Sequence, residues 1–179
     1  MSDKKKYIIT SITLGAIAAS SGLLIGVTNL ITKDQIAKNE ENKINNGIKE
    51  IFDQNTVKVE GFDLSEAGIT GDYKYVEYLY EVKDENDNEL GCAFVTSGSN
   101  NYGKISLIIG FDAAEKAFLN LSVVVNEQTY ATTLVDNYIN PLNNGKRDVD
   151  DVKCGATYGA KLVRDMINEA EAAVEEFYK

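Results

Sequence analysis

Three features of this sequence predict an α+β fold in which one antiparallel sheet is closed by a C-terminal helix, behind a single N-terminal transmembrane helix. They are an uncharged run of 25 residues near the start, a series of strand-like segments between residues 56 and 125, and a four-residue apolar repeat at the end. Of the 179 residues, about 150 remain once a membrane segment is set aside, the usual length of one compact domain.

The uncharged run extends from Tyr7 to Ile31. At ~1.5 Å per residue, a helix of that length exceeds the ~30 Å hydrocarbon core of a bilayer. Lys4, Lys5 and Lys6 precede it directly. Positive charge before a first helix stays in the cytoplasm, so the C-terminal domain is predicted to lie outside. Ala16-Ile17-Ala18 and Ala18-Ala19-Ser20 are of the signal-cleavage type, but the apolar run continues through Leu23, Leu24, Ile25, Val27, Leu30 and Ile31. That is longer than an h-region of ~7–15 residues, and an uncleaved anchor is predicted. The first 31 residues contain no cysteine for a lipid-modified N-terminus, and Tyr7–Ile31 lacks the early glutamate of a pilin helix.

After Thr32 the chain turns polar, with Ile36, Ile44, Ile48, Ile51 and Phe52 at helical spacings. The helix is expected to leave the membrane and pack one face on the domain, with Asn45-Asn46-Gly47 interrupting it at a bend, since glycine costs about 1 kcal/mol in a helix relative to alanine. The predicted organisation is a basic start and anchor over residues 1–31, a helical stalk over 32–55 and an extracytoplasmic domain over 56–179.

Strand signals cover Thr56 to Glu60, Tyr73 to Lys83, Leu90 to Thr96, Lys104 to Gly110 and Ala117 to Val125. Partial period-2 alternation from Tyr73 and the turn at Asp84 to Asn88 suggest an antiparallel meander, whose tyrosines read as sheet surface and core. A short helix is expected from Thr129 to Ile139, broken by Asn140-Pro141, with a polar loop from Asn143 to Asp148. Tyr158 to Phe177 reads as an amphipathic helix, with Leu162, Met166, Ala170 and Val174 spaced by four and Val163, Ile167, Ala173 and Phe177 beside them.

Residues 32–179 carry 15 basic against 27 acidic side chains, a net of −12. Such a surface repels phosphate backbones and anionic lipid heads, so nucleic acid is not an expected partner, and bilayer contact should come from residues 7–31 alone. The chain has no histidine and two cysteines, which excludes Ser-His-Asp triads and His or Cys zinc sites. Cys92 and Cys154 could form one disulfide in an oxidising compartment; their positions in the sequence leave this open.

The candidate chemistry lies just before the last helix, in Asp151-Val152-Lys153-Cys154-Gly155-Ala156-Thr157. Thr157 is placed at or near the helix N-cap, where unpaired backbone N–H groups and the helix dipole favour an anion. Gly155 and Ala156 leave room for a phosphoryl group to approach the backbone, and Lys161 and Lys153 could add positive charge. The same pattern is also that of an ordinary capping threonine after a glycine turn.

The stretch resembles the flavinylation sequence of the FMN-binding domain family, which includes the G subunit of the Rnf complex and the C subunit of the sodium-pumping NADH:quinone reductase. The family pattern is Asp, two variable residues, Ser or Thr, Gly, Ala, then the acceptor Thr or Ser. Asp151, Gly155, Ala156 and Thr157 fit it, and Cys154 stands where the family has a hydroxyl residue. The anchor and stalk from Leu14 to Phe52, and Tyr102-Gly103-Lys104-Ile105 followed by Ile109-Gly110-Phe111-Asp112, also resemble the family. So, more weakly, does Asn126-Glu127-Gln128-Thr129-Tyr130-Ala131: Thr129 fits, while Gln128, Tyr130 and Ala131 replace Glu, Pro and Gly. That loop lies against the flavin in relatives, and Asn126 to Thr129 reads equally as a strand-to-helix turn capped by Thr129.

The resemblance implies FMN joined by a dedicated flavin transferase, through its phosphate, to the Thr157 hydroxyl. Asp151, Cys154, Gly155, Ala156, Gln128, Thr129 and Lys161 would lie around it. It further implies an electron-transfer subunit on the outer face of the cell membrane, working with the membrane redox subunits of an Rnf-like complex. Two alternatives are a free-standing flavoprotein of a quinone-linked electron-transfer chain and a flavin-free surface interaction module.

Overall fold

A computed structural model describes residues 3–52, 58–146 and 148–179. The chain divides into two compact units, Met1–Asn42 and Lys43–Lys179.

The first unit is formed by most of helix α1, Asp3–Ile51. Within it Ile9–Asn29, 21 residues of mean hydropathy 1.7, is long and apolar enough to cross a membrane. Leu14, Leu23, Leu24 and Ile25 are exposed. The helix also satisfies its own small polar side chains: Thr13, Ser20 and Ser21 donate to the carbonyls of Ile9, Ala16 and Ile17 at 2.8–2.9 Å. A hydroxyl bonded to the preceding turn needs no water, which is what a hydrocarbon surrounding demands.

The second unit begins with the last turns of α1 and continues through a five-stranded sheet. Its strands are β1 Lys58–Asp63, β2 Val76–Lys83, β3 Glu89–Asn100, β4 Gly103–Asp112 and β5 Phe118–Asn126. Their order in the sheet is their order in the chain, and every pairing is antiparallel. The expected meander is therefore present, followed by helix α4, Thr157–Phe177. The expected strand start at Thr56 lies outside the described residues. β3 runs on through Ser97-Gly98-Ser99-Asn100, beyond the Thr96 limit read from sequence. Gly98 is needed there because a Cβ would come within 2.7 Å of Met166 and 3.0 Å of Leu162, so α4 packs directly over its backbone.

Side-chain alternation sends the central strands into two cores, one on each face. Cys92, Phe94, Ile105, Leu107, Ile109 and Phe111 join Leu162, Val163, Met166, Ala170 and Val174 of α4. Ala93, Val95 and Ile108 meet Ile48 and Ile51 of α1, with Ile44 and Phe52 alongside. The predicted packing face of the stalk is thus borne out at these positions. The predicted interruption at Asn45-Asn46-Gly47 is not, because α1 is helical throughout. Gly47 serves the sheet contact: a Cβ on it would lie 2.6 Å from Ile108 Cδ1, just as one on Gly110 would lie 2.4 Å from Ile51.

The helix expected to stop at Asn140-Pro141 also continues. Helix α2, Ala131–Leu134, passes into a π-helical turn, Val135–Ile139, and then into α3, Asn140–Asn143. In an α-helix the Pro141 ring would meet the carbonyl four residues back; the wider π turn lies where that collision would fall. The polar segment predicted to begin at Asn143 begins after it, and Arg147 within it lies outside the described residues.

Helix α4 holds the segment before β2 with two carboxylates placed two turns apart. Glu169 accepts the Tyr75 backbone N–H at 2.7 Å. Glu176 accepts the Thr70 N–H and hydroxyl, both at 2.8 Å, the Tyr73 hydroxyl at 2.9 Å and the Gly71 N–H at 3.3 Å. These donors, the Thr70 backbone N–H foremost, hold the Glu176 carboxyl down to about 2, against 4.5 for a free side chain. A carboxyl depressed in the folded state stabilises it above the unfolded value and ceases to do so as pH falls through the folded one. The melting temperature should therefore drop between about pH 4.5 and pH 2, and Glu176→Gln should melt lower at neutral pH with a shallower acid dependence in scanning calorimetry.

Candidate functional site

Three segments far apart in sequence enclose a cleft of about 250 Å³. The tip of the β3–β4 hairpin contributes Tyr102; the segment leading into α2 contributes Gln128 and Tyr130, and α2 itself Leu134; the turn before α4 and its first residues contribute Gly155 through Gly159. Thr157 lies among them as the first residue of α4.

The loop that delivers Thr157 is braced at nearly every residue. Asp150 accepts the backbone N–H groups of Val152 and Lys153 at 2.9 and 3.2 Å. Those bonds, the one from Lys153 first, pull its carboxyl below the ordinary value. Asp151 pairs with Arg164 at 2.6 Å and is the more buried partner. The Asn137 amide, on the π turn, donates to the Cys154 carbonyl at 3.0 Å. Gly155 then turns the chain with φ +81°, a left-handed conformation that favours glycine.

Cys154 is bonded both as donor and as acceptor. Its buried thiol donates to the Asp151 carbonyl at 3.0 Å and its sulfur accepts the Ala156 N–H at 3.4 Å. Both cysteines are free thiols, so the disulfide left open by the sequence is not formed. Cys154→Ser should keep both contacts and hold the melting temperature nearly constant. Cys154→Val leaves the buried Ala156 N–H without its acceptor, at a cost of about 1–3 kcal/mol measurable in urea unfolding.

Thr157 does not cap its helix. Ala156 is the N-cap, and among the described residues no side-chain cap bond is made there. The Thr157 hydroxyl donates back to the Val152 carbonyl at 3.3 Å. The first full helical bond runs from the Ala160 N–H to the Ala156 carbonyl at 2.9 Å, which leaves the N–H groups of Thr157, Tyr158 and Gly159 ahead of the helical ladder. Gly159 keeps α4 tight on α2, since a Cβ there would lie 2.9 Å from Leu134.

The other expected residues divide. Gln128 is buried in the wall, its amide donating to the Gly103 carbonyl. Thr129 neither lines the cleft nor caps a helix: Tyr130 is the N-cap of α2, and the Thr129 hydroxyl donates to the Tyr102 carbonyl at 3.2 Å. Lys161 is exposed and outside the lining, and Lys153 is turned to Asp150 at 3.3 Å. Among the described residues, none of the lining side chains is charged. Asn100, Asn137 and Arg164 were not legible as site residues, because only the fold brings them to this loop; Tyr102 and Tyr130 lie in segments that resemble the family but were not among the expected cofactor contacts.

The structure defines an α+β domain with a cleft of about 250 Å³ at a helix N-terminus, preceded in the chain by a helix long and apolar enough to span a membrane. Residues 1–51 match the family model described as the RnfG N-terminal region. The match supports an RnfG-like family for this segment and suggests a subunit of an Rnf-type complex. No curated protein matches the chain.

Proposed function

We propose that the chain is a membrane-anchored electron carrier whose FMN is joined through its phosphate to the Thr157 hydroxyl, and that it serves as a subunit of an Rnf-type complex with its domain outside the cytoplasm. One observation carries this reading: Thr157 lines a cleft, beside first-turn N–H groups that no side chain caps among the described residues.

The residues present suit a phosphate ester better than a dissociable ligand. The N–H groups of Thr157, Tyr158 and Gly159 can stabilise phosphoryl oxygens, helped by the α4 dipole. Gly155, where a Cβ would come 3.3 Å from Thr133 Cγ2, adds no side chain to the approach. Among the described residues no lysine or arginine lines the cleft, and residues 32–179 are strongly acidic, so free FMN would be held weakly. At about 250 Å³ the cleft is also below the ~300–1,000 Å³ that encloses drug-sized ligands, and it would hold the cofactor only in part. A covalent tether answers both deficits. When bound, the isoalloxazine supplies the redox chemistry, and the chain anchors and orients it.

Peptide mass spectrometry tests the reading on the full chain made in cells that contain a flavin transferase. A gain of one FMN less water on the peptide carrying Thr157 is expected, since the ester replaces the hydroxyl hydrogen. An unmodified peptide rejects it. Copurification of membrane redox subunits with the tagged chain is expected for a complex subunit, whereas a flavinylated chain purified alone would be a free-standing carrier of a quinone-linked chain.

A further inference from the structure

We infer that the stacked pair Tyr102–Tyr158 is the platform on which the planar ring of the tethered cofactor lies. The identity of that ring rests on the FMN reading above; the platform rests on the geometry of the pair.

The large apolar side chains exposed among the described residues of the second unit are Tyr78, Tyr102, Tyr130, Val152 and Tyr158. Three of the five line this cleft, and the carbonyl of a fourth, Val152, takes the Thr157 hydroxyl. Aromatic surface left in water and gathered at one concavity marks a binding site. Tyr102 and Tyr158 stack with ring centroids 5.1 Å apart and planes 21° from parallel, although they lie 56 positions apart and on different elements.

One side chain fixes both members. Asn100 accepts the Tyr102 N–H on its Oδ1 at 2.8 Å and donates through Nδ2 to the Tyr158 carbonyl at 3.2 Å. The Tyr102 carbonyl in turn takes the Thr129 N–H at 2.8 Å, so the hairpin tip is held from both sides. The pair is thus set on rigid backbone, directly beside the attachment residue.

A third ring does not fit between the two, because two face contacts of ~3.5 Å each would need about 7 Å. It lies instead on a free face of the stack, within the cleft, and Tyr158 follows Thr157 immediately, so a ring on a ribityl tether reaches it. Electron-rich phenols favour an electron-poor, uncharged, planar heteroaromatic ring, and the uncharged lining agrees. Phenol contact quenches flavin emission, which gives a readout apart from electron-transfer activity.

The experiment compares fluorescence per flavin in the purified flavinylated full chain with that of Tyr102→Leu, Tyr158→Leu, Asn100→Ala and, as a control outside the cleft, Tyr78→Leu. Thermal melts establish that each variant is folded. Emission several-fold above wild type in both cleft leucine variants, a smaller rise in Asn100→Ala and none in Tyr78→Leu are expected. Equal emission throughout, with flavin on the Thr157 peptide of every variant, overturns the platform and leaves the tether intact. An unmodified Thr157 peptide would instead defeat the FMN reading. The platform is then decided by adding riboflavin to the unmodified chain: quenching that Tyr102→Leu abolishes upholds it, and no quenching overturns it.

Discussion

Thr157→Ala is expected to abolish covalent flavin while leaving the domain folded, and Thr157→Ser to retain it. The alanine variant loses the oxygen that would form the ester. Structurally it gives up one long hydrogen bond, from the Thr157 hydroxyl to the Val152 carbonyl at 3.3 Å. A half-exposed bond of that length contributes about 0.5 kcal/mol, and alanine is a better helix residue than threonine, so the net change in stability is small. Serine keeps the oxygen in the same place. Intact mass and a thermal melt on the same samples check both halves: flavin on Thr157→Ala would place the attachment elsewhere, and a large fall in melting temperature would make Thr157 a structural residue.

Gly103→Ala is expected to lower stability by about 3 kcal/mol or roughly 10 °C in melting temperature. Gly103 has φ +132°, and a Cβ on it would lie 2.1 Å from the Glu127 carbonyl oxygen and 2.6 Å from its carbon. Both obstacles are backbone, so no rotamer change relieves them. The strands would have to separate, losing the bonds from Glu127 N–H to the Lys104 carbonyl and from Thr129 N–H to the Tyr102 carbonyl, each 2.8 Å. The Gln128 amide bond to the Gly103 carbonyl lies at the same junction. Gly145→Ala is the control: φ is +82° there, but nothing lies within 4 Å of the added Cβ, so only backbone strain of about 1 kcal/mol remains. Calorimetry should show a drop for Gly145→Ala about a third as large.

The contrast between these two glycines shows where reading the sequence stops. Both follow residues typical of turns, and nothing local marks Gly103 as the one pressed against another strand. Asn45-Asn46-Gly47 looked like a bend for the same reason, since the partner that makes Gly47 necessary, Ile108, is 61 positions away. Pro141 looked like a terminator because the π turn ahead of it leaves no signature in composition. The tyrosines of β2 drew attention by their density, whereas those at the cleft stand singly at Tyr102, Tyr130 and Tyr158.

What the sequence by itself determined was the set of elements whose signal is a repeat along the chain. The apolar run of α1, the strands of the meander, the stripe of α4 and the Asp151–Thr157 pattern are local periodicities or spacings, and such signals survive without a structure. Only the tertiary structure decided what surrounds Thr157. It put Asp151 on Arg164, bonded Cys154 both as donor and as acceptor, removed Lys161 and Thr129 from the cleft wall and stacked Tyr102 on Tyr158. The physical reason is that a cleft forms where separate elements meet. Its members are chosen by sheet register and helix packing, and neither is written at any single position.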